Sequence, residues 1–80
     1  MKVITVEYYA ALREARGCSS ETIETGAETA GDLYAELAAA HAFSLRPEQL
    51  RVIVNEAFVP WETPLRDHDT VVFIPPVAGG

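Results

Sequence analysis

Apolar residues recur along this chain at two periods, and the switches between them mark out its elements. From Met1 to Tyr9 the period is two: Ile4, Val6 and Tyr8 share one face, and Val3, Thr5, Glu7 and Tyr9 share a mixed one. That alternation predicts a strand. Glu21 to Glu24 predicts a weaker, more polar strand, the return arm of a hairpin with the first. Ala30, Leu33, Tyr34, Leu37, Ala38 and His41 then recur at helical spacing, which predicts a main helix. Thr29 suits its N-cap, with Asp32 at the acidic position of a capping box and Gly31 early enough to cost little. The helix should reach about His41 and end before Pro47.

A shorter run, Ala10 to Arg16, is rich in helix formers and stops at Gly17, a residue suited to a left-handed C′ position. At about two turns it is expected to be a connector rather than a core helix. Arg51 to Asn55 predicts a third strand, closed by a turn at Asn55-Glu56-Ala57. Phe58 to Trp61 is short and holds Pro60, which cannot donate to a ladder, so it belongs at an edge. Trp61 near Phe58 is expected to close the edge of the core. Thr63-Pro64-Leu65 is an irregular crossing, and Asp67-His68-Asp69 turns into a last strand from Val71 to Ile74. The order describes an α+β domain with one helix packed across a mixed sheet.

The last strand is apolar on both faces, yet one helix can cover only one. With Val52, Val54, Val71 and Phe73 beneath the helix, Ile53, Val72 and Ile74 fall on the open face, together with Arg51. An exposed apolar patch of this kind is a candidate docking surface. Pro75 and Pro76 continue from it and end the ladder, because neither has an N–H and both fix φ.

Beyond them the chain narrows through Val77 and Ala78 to Gly79 and Gly80. Extended at roughly 3.3 Å per residue, 77–80 would reach about 13 Å from the body. Without Cβ atoms, Gly79 and Gly80 can thread a channel too tight for other residues. The expectation is a single domain over 1–80, with 77–80 protruding and a Gly80 carboxylate offered to chemistry on another protein.

Composition narrows the function. Eighty residues with 49% hydrophobic content make one small core. A net charge of −6 repels phosphates, so no nucleic-acid partner is expected, whereas a basic protein partner fits. No apolar run approaches the roughly 20 residues of a membrane span, and the single cysteine, Cys18, suits a reducing cytoplasm. Cys18 could carry a persulfide, but only Arg16 stands near it in sequence to favour a thiolate. His41, His68 and Cys18 are not at metal-ligand spacing, and Glu62, Asp67, His68 and Asp69 read as a solvated acidic turn; no metal site is expected.

Several of these residues carry a family resemblance. Val6-Glu7-Tyr8-Tyr9-Ala10, then Leu12-Arg13-Glu14 and Gly17, resemble the opening of the sulfur-carrier small subunits of molybdopterin synthase. Val54-Asn55, Pro64-Leu65, Asp67, Asp69 and the closing Phe73-Ile74-Pro75-Pro76-Val77-Ala78-Gly79-Gly80 are similar to the rest of that pattern. The resemblance implies a ubiquitin-like β-grasp fold with a mixed sheet of about five strands. It implies that an E1-like enzyme adenylates Gly80 with ATP, and that a sulfur donor converts it to a thiocarboxylate. The tail would then enter the large synthase subunit, in a heterotetramer, and give sulfur to cyclic pyranopterin monophosphate. The carrier itself would bind no cofactor and have no activity alone. Two positions depart from the pattern: His68 stands where the family often has glycine, and Asn55-Glu56-Ala57 lacks a turn glycine. Histidine there bears strain if φ is positive.

Three other functions compete. A carrier for thiamin thiazole synthesis shares the Gly-Gly ending but usually lacks the Phe-Ile-Pro-Pro-Val stretch. A ubiquitin-like modifier would pass the same activated glycine to a lysine. A plain interaction domain would leave the tail inert.

Overall fold

A computed structural model of the chain describes residues 1–75 and shows a five-stranded mixed sheet with two α-helices. The strands are β1 (Lys2–Tyr8), β2 (Ser20–Thr25), β3 (Arg51–Val54), β4 (Ala57–Val59) and β5 (Thr70–Ile74). The helices are α1 (Ala10–Arg16) and α2 (Ala30–His41), with a 3₁₀ turn at Pro47–Gln49 that the sequence pattern did not indicate. The sheet order is β2-β1-β5-β3-β4, with β1 and β5 parallel and the other pairs antiparallel. This is the expected β-grasp arrangement. The second strand does return antiparallel to the first, but through α1 rather than a tight turn.

The predicted faces hold. Ile4, Val6, Tyr8, Val52, Val54, Val71 and Phe73 are buried, and so are Ala30, Leu33, Tyr34 and Leu37 of α2. Tyr34 meets Phe73 edge-on at 5.2 Å, and Trp61 stacks on Phe73 at 6.0 Å. Trp61 therefore closes the core as expected. Phe58 is 63% exposed and pairs in register with Ile53, which puts it on the opposite face. A proline-bounded edge strand gave no sign of which face its one large aromatic takes. Nor is α1 a mere connector, because it carries Leu12 into the core at 1% exposure before Gly17 ends it at φ 86°.

The start of α2 is held by the irregular crossing. Thr29 Oγ1 accepts the Asp32 N–H at 3.1 Å, while the N–H groups of Ala30 and Gly31 donate to Thr63 and Trp61 carbonyls at 3.1 and 2.9 Å. These bonds satisfy donors that a helix leaves open at its first turn. A Cβ on Gly31 would sit 3.4 Å from that Trp61 oxygen, an ordinary van der Waals contact, so the loop packs closely here without requiring a glycine.

The acidic turn is not simply solvated. Asp69 is 8% exposed, and its carboxylate accepts from Asn55 Nδ2 and from the Arg66 N–H, both at 2.8 Å. Asn55 Oδ1 in turn accepts the Thr70 N–H at 2.9 Å. Asp67 accepts the Val3 N–H at 2.6 Å, pinning the start of β1. Among the described residues no group of three acids, histidines or cysteines could hold a metal ion.

Non-glycine residues with positive φ are Ala10, Ala42, Asn55, Glu56 and His68, and the last three place backbone strain in two turns. His68 has φ 71°, the conformation in which its replacement of glycine matters. Asn55 and Glu56 have φ 49° and 73° and alone join the paired Val54 and Ala57, as in a type I′ hairpin that prefers Asn-Gly. A left-handed non-glycine residue costs roughly 1–2 kcal/mol. Glu56→Gly should accordingly stabilise the domain by about 1 kcal/mol, which is about 4–8 °C in Tm at this size. Thermal unfolding followed by circular dichroism checks it; an unchanged or lower Tm would mean that another contact of Glu56 outweighs the strain.

Candidate functional site: the open face of the sheet

The face of the sheet away from α2 is built by the strand residues of opposite parity to the core. Cross-strand register puts Glu7, Val72, Ile53 and Phe58 in one row, from β1 through β5 and β3 to β4. Ile74 lies opposite Arg51 in the adjoining position. Ile53, Val72 and Ile74 are each partly exposed, as expected of an uncovered apolar face. They line a concavity of about 1120 Å³, which reaches Tyr9 and Ala10 on one side and Glu56 on another.

The end of this surface is the exit of the chain. Pro75 lines the concavity directly after Ile74 and is buried in its wall. Arg51 is exposed, with its guanidinium 5.2 Å from the centre of the Phe58 ring. That distance allows a cation–π contact. Pro76, Val77, Ala78, Gly79 and Gly80 lie outside the described residues.

The sequence reading missed Phe58, Tyr9 and Glu7 as members of this face. Tyr9 and Glu7 were legible, since they share the parity of Val3 and Thr5. Phe58 was not, because its side depends on the β3–β4 register.

The helix side of the fold holds the cysteine and its neighbours. Glu21 takes Arg16 in a bidentate pair, at 2.9 Å from Nε and 2.6 Å from Nη2, and accepts the Tyr8 hydroxyl at 2.6 Å. Arg16 holds the Glu21 carboxyl below its ordinary range. Burial, with the hydrogen bond to Glu21, pushes the Tyr8 phenol well above its own. Arg16 is thus paired with a carboxylate, and Cys18 is a partly buried residue packed on the core. No helix among the described residues is long and apolar enough to cross a membrane.

Comparison with known proteins places this geometry. The sequence pattern of the ThiS family matches residues 6–80. The molybdopterin synthase sulfur carrier subunit of Escherichia coli (strain K12) is 33% identical over 81 residues, covering 98% of this chain and 100% of that protein. In structure the chain is similar to small archaeal modifier protein 1 of H. volcanii, with TM-score 0.81 at 20% identity, covering 96% of this chain and 100% of that one. It is also similar to a chain in the complex of subunits 1 and 2 of the molybdopterin-converting factor from Helicobacter pylori 26695. There the TM-score is 0.68 at 22% identity, covering 98% of this chain and 99% of that one.

Proposed function

The chain belongs to the ThiS family, and we propose that it is a sulfur carrier of molybdenum cofactor biosynthesis, the small subunit of a molybdopterin synthase. The observation that carries this reading is continuity: the apolar concavity ends at Ile74 and Pro75, from which the sequence runs directly to Gly79-Gly80. A surface for docking and a tail for chemistry therefore start from one point. The relative at 33% identity is itself a molybdopterin synthase sulfur carrier subunit, which favours that pathway over thiazole synthesis.

A carboxylate at neutral pH is a poor electrophile. In the proposed sequence the Gly80 carboxylate attacks the α-phosphate of ATP on an E1-like enzyme, and pyrophosphate leaves. A sulfide-equivalent nucleophile then attacks the acyl carbon and AMP leaves, giving the thiocarboxylate. In the large subunit the sulfur passes to cyclic pyranopterin monophosphate, and water restores the carboxylate; two such transfers complete the dithiolene. This chain contributes the acyl group and its delivery. Acid–base and phosphate-binding groups belong to the partners, since the open face gathers no such constellation. The complex of two subunits in the H. pylori protein supports a large subunit as the partner.

Intact-mass spectrometry tests the reading. Incubated with its E1-like enzyme, ATP and sulfide, the protein should gain the mass of sulfur replacing oxygen, and fragmentation should place it on Gly80. Cys18→Ser should be sulfurated equally and support molybdopterin formation to the same extent. Sulfur found on Cys18, or activity lost with Cys18→Ser while the fold stays intact, would transfer the role to the thiol. Higher-mass lysine conjugates without thiocarboxylate would favour the modifier reading.

A further inference from the structure

We propose that the open face selects its partner by charge as well as by apolar fit, and that Glu7 is the specificity-determining residue, paired with a partner arginine or lysine. The inference rests on the docking reading above and adds the chemistry of what docks.

Glu7 occupies the β1 position of the row it shares with Val72, Ile53 and Phe58, and it is half-buried. Its Cα partner across the ladder is Val72, in the middle of the apolar concavity. Neighbouring strands lie about 4.8 Å apart, so a surface that covers Val72 also takes water from the Glu7 carboxylate. Nothing in the chain's described residues compensates it. The carboxylates that pair with a cation there are Glu21 with Arg16 and Glu48 with Arg46, and the one side-chain hydrogen bond to the Glu7 carboxylate is a 3.4 Å contact from the Tyr9 hydroxyl. A buried carboxylate without a partner is costly, and a cation supplied by the docking surface removes the cost.

The second charge at the concavity has the same sign. Glu56 lines it, and no lysine or arginine does. Arg51, the cation of this face, lies beside Phe58 instead. The occupant that fits is therefore a protein surface with an apolar protrusion for Val72, Ile53 and Ile74 and a cation over Glu7. Arginine suits best, because its planar fork can take both carboxylate oxygens.

Calorimetric titration of the chain into the large synthase subunit, at low and at high sodium chloride, tests this. Glu7→Gln should bind at least about tenfold more weakly with an unchanged Tm, and Glu7→Arg about a hundredfold more weakly. The salt dependence of the wild type should flatten in Glu7→Gln. A cation-to-glutamate substitution in the large subunit should restore binding of Glu7→Arg. If Glu7→Gln and Glu7→Leu bind as tightly as wild type while Ile74→Glu does not bind, docking stands and selection by charge is wrong. If Ile74→Glu also binds normally, or the wild type does not bind at all, the docking reading itself fails and takes this inference with it. Sedimentation covers a further occupant: a wild-type dimer dispersed by Glu7→Arg and restored by adding Arg51→Glu would make a second copy the partner and overturn the proposal.

Discussion

Phe73→Glu should leave the domain unfolded, whereas Ile74→Glu, one residue along the same strand, should fold normally and lose its partners. Phe73 is fully buried between Tyr34 and Trp61. Loss of the ring alone removes about 3–5 kcal/mol, and a buried carboxylate with no hydrogen-bond partner adds to that. At roughly 0.05–0.15 kcal/mol per residue, a domain of 80 residues has only about 4–12 kcal/mol in total. Ile74 is partly exposed on the other face, so its glutamate stays hydrated and costs the monomer about 1 kcal/mol or less. Against the large subunit or the activating enzyme the same carboxylate would be buried in apolar surroundings, and binding should fall by at least about a hundredfold. Circular dichroism for folding and calorimetry for binding separate the two effects. An Ile74→Glu protein that melts early yet binds normally per folded molecule would refute the assignment of faces to function.

That contrast is legible in the sequence, because strand parity is a local property. Val71 and Phe73 had to point one way and Val72 and Ile74 the other, whatever lay beside them. The helix was equally local, since Thr29 and the stripe from Ala30 to His41 fix both its start and its buried side. Pairing was not legible. Nothing in Ala57-Phe58-Val59 says which residue of β3 it meets, and only the register with Ile53 shows that Phe58 faces outward.

Asp69 shows the same limit in polar terms. Alone, Asp67-His68-Asp69 reads as a solvated turn; Asp69 becomes a buried clamp only because Asn55, 14 residues away, folds back to donate to it. The two strained turns are thereby joined, since Asn55 is itself left-handed and follows directly after β3. The resemblance to the sulfur carriers had singled out Asn55, Asp67 and Asp69 as a pattern. Their hydrogen bonds give that pattern a physical reason at the end of β5 opposite the tail.

Removal of Gly79 and Gly80 should abolish sulfur transfer while barely changing thermal unfolding. The core extends from Ile4 to Phe73, and the ladder of β5 ends at Ile74, so the core and ladder contacts among the described residues are all formed without the two glycines. Partner affinity should be largely kept too, because Ile53, Val72 and Ile74 remain in place. The chemistry should nevertheless stop. The acyl carbon that must meet ATP and then sulfur is gone, and the shortened chain would end at Ala78, about 6–7 Å short in extended geometry. A displacement of even about 1 Å can cost a hundredfold in rate, so a gap of that size leaves no productive geometry. One alanine added after Gly80 should be nearly as damaging, since it presents the wrong carboxylate and puts a Cβ where glycine passes. Molybdopterin formed by the reconstituted synthase is the readout, with calorimetry on the same variants to show that docking survives. A truncated chain that still supports synthesis would place the sulfur elsewhere and end the carrier reading; one that neither binds nor reacts would make the glycines part of the docking surface rather than its chemical end.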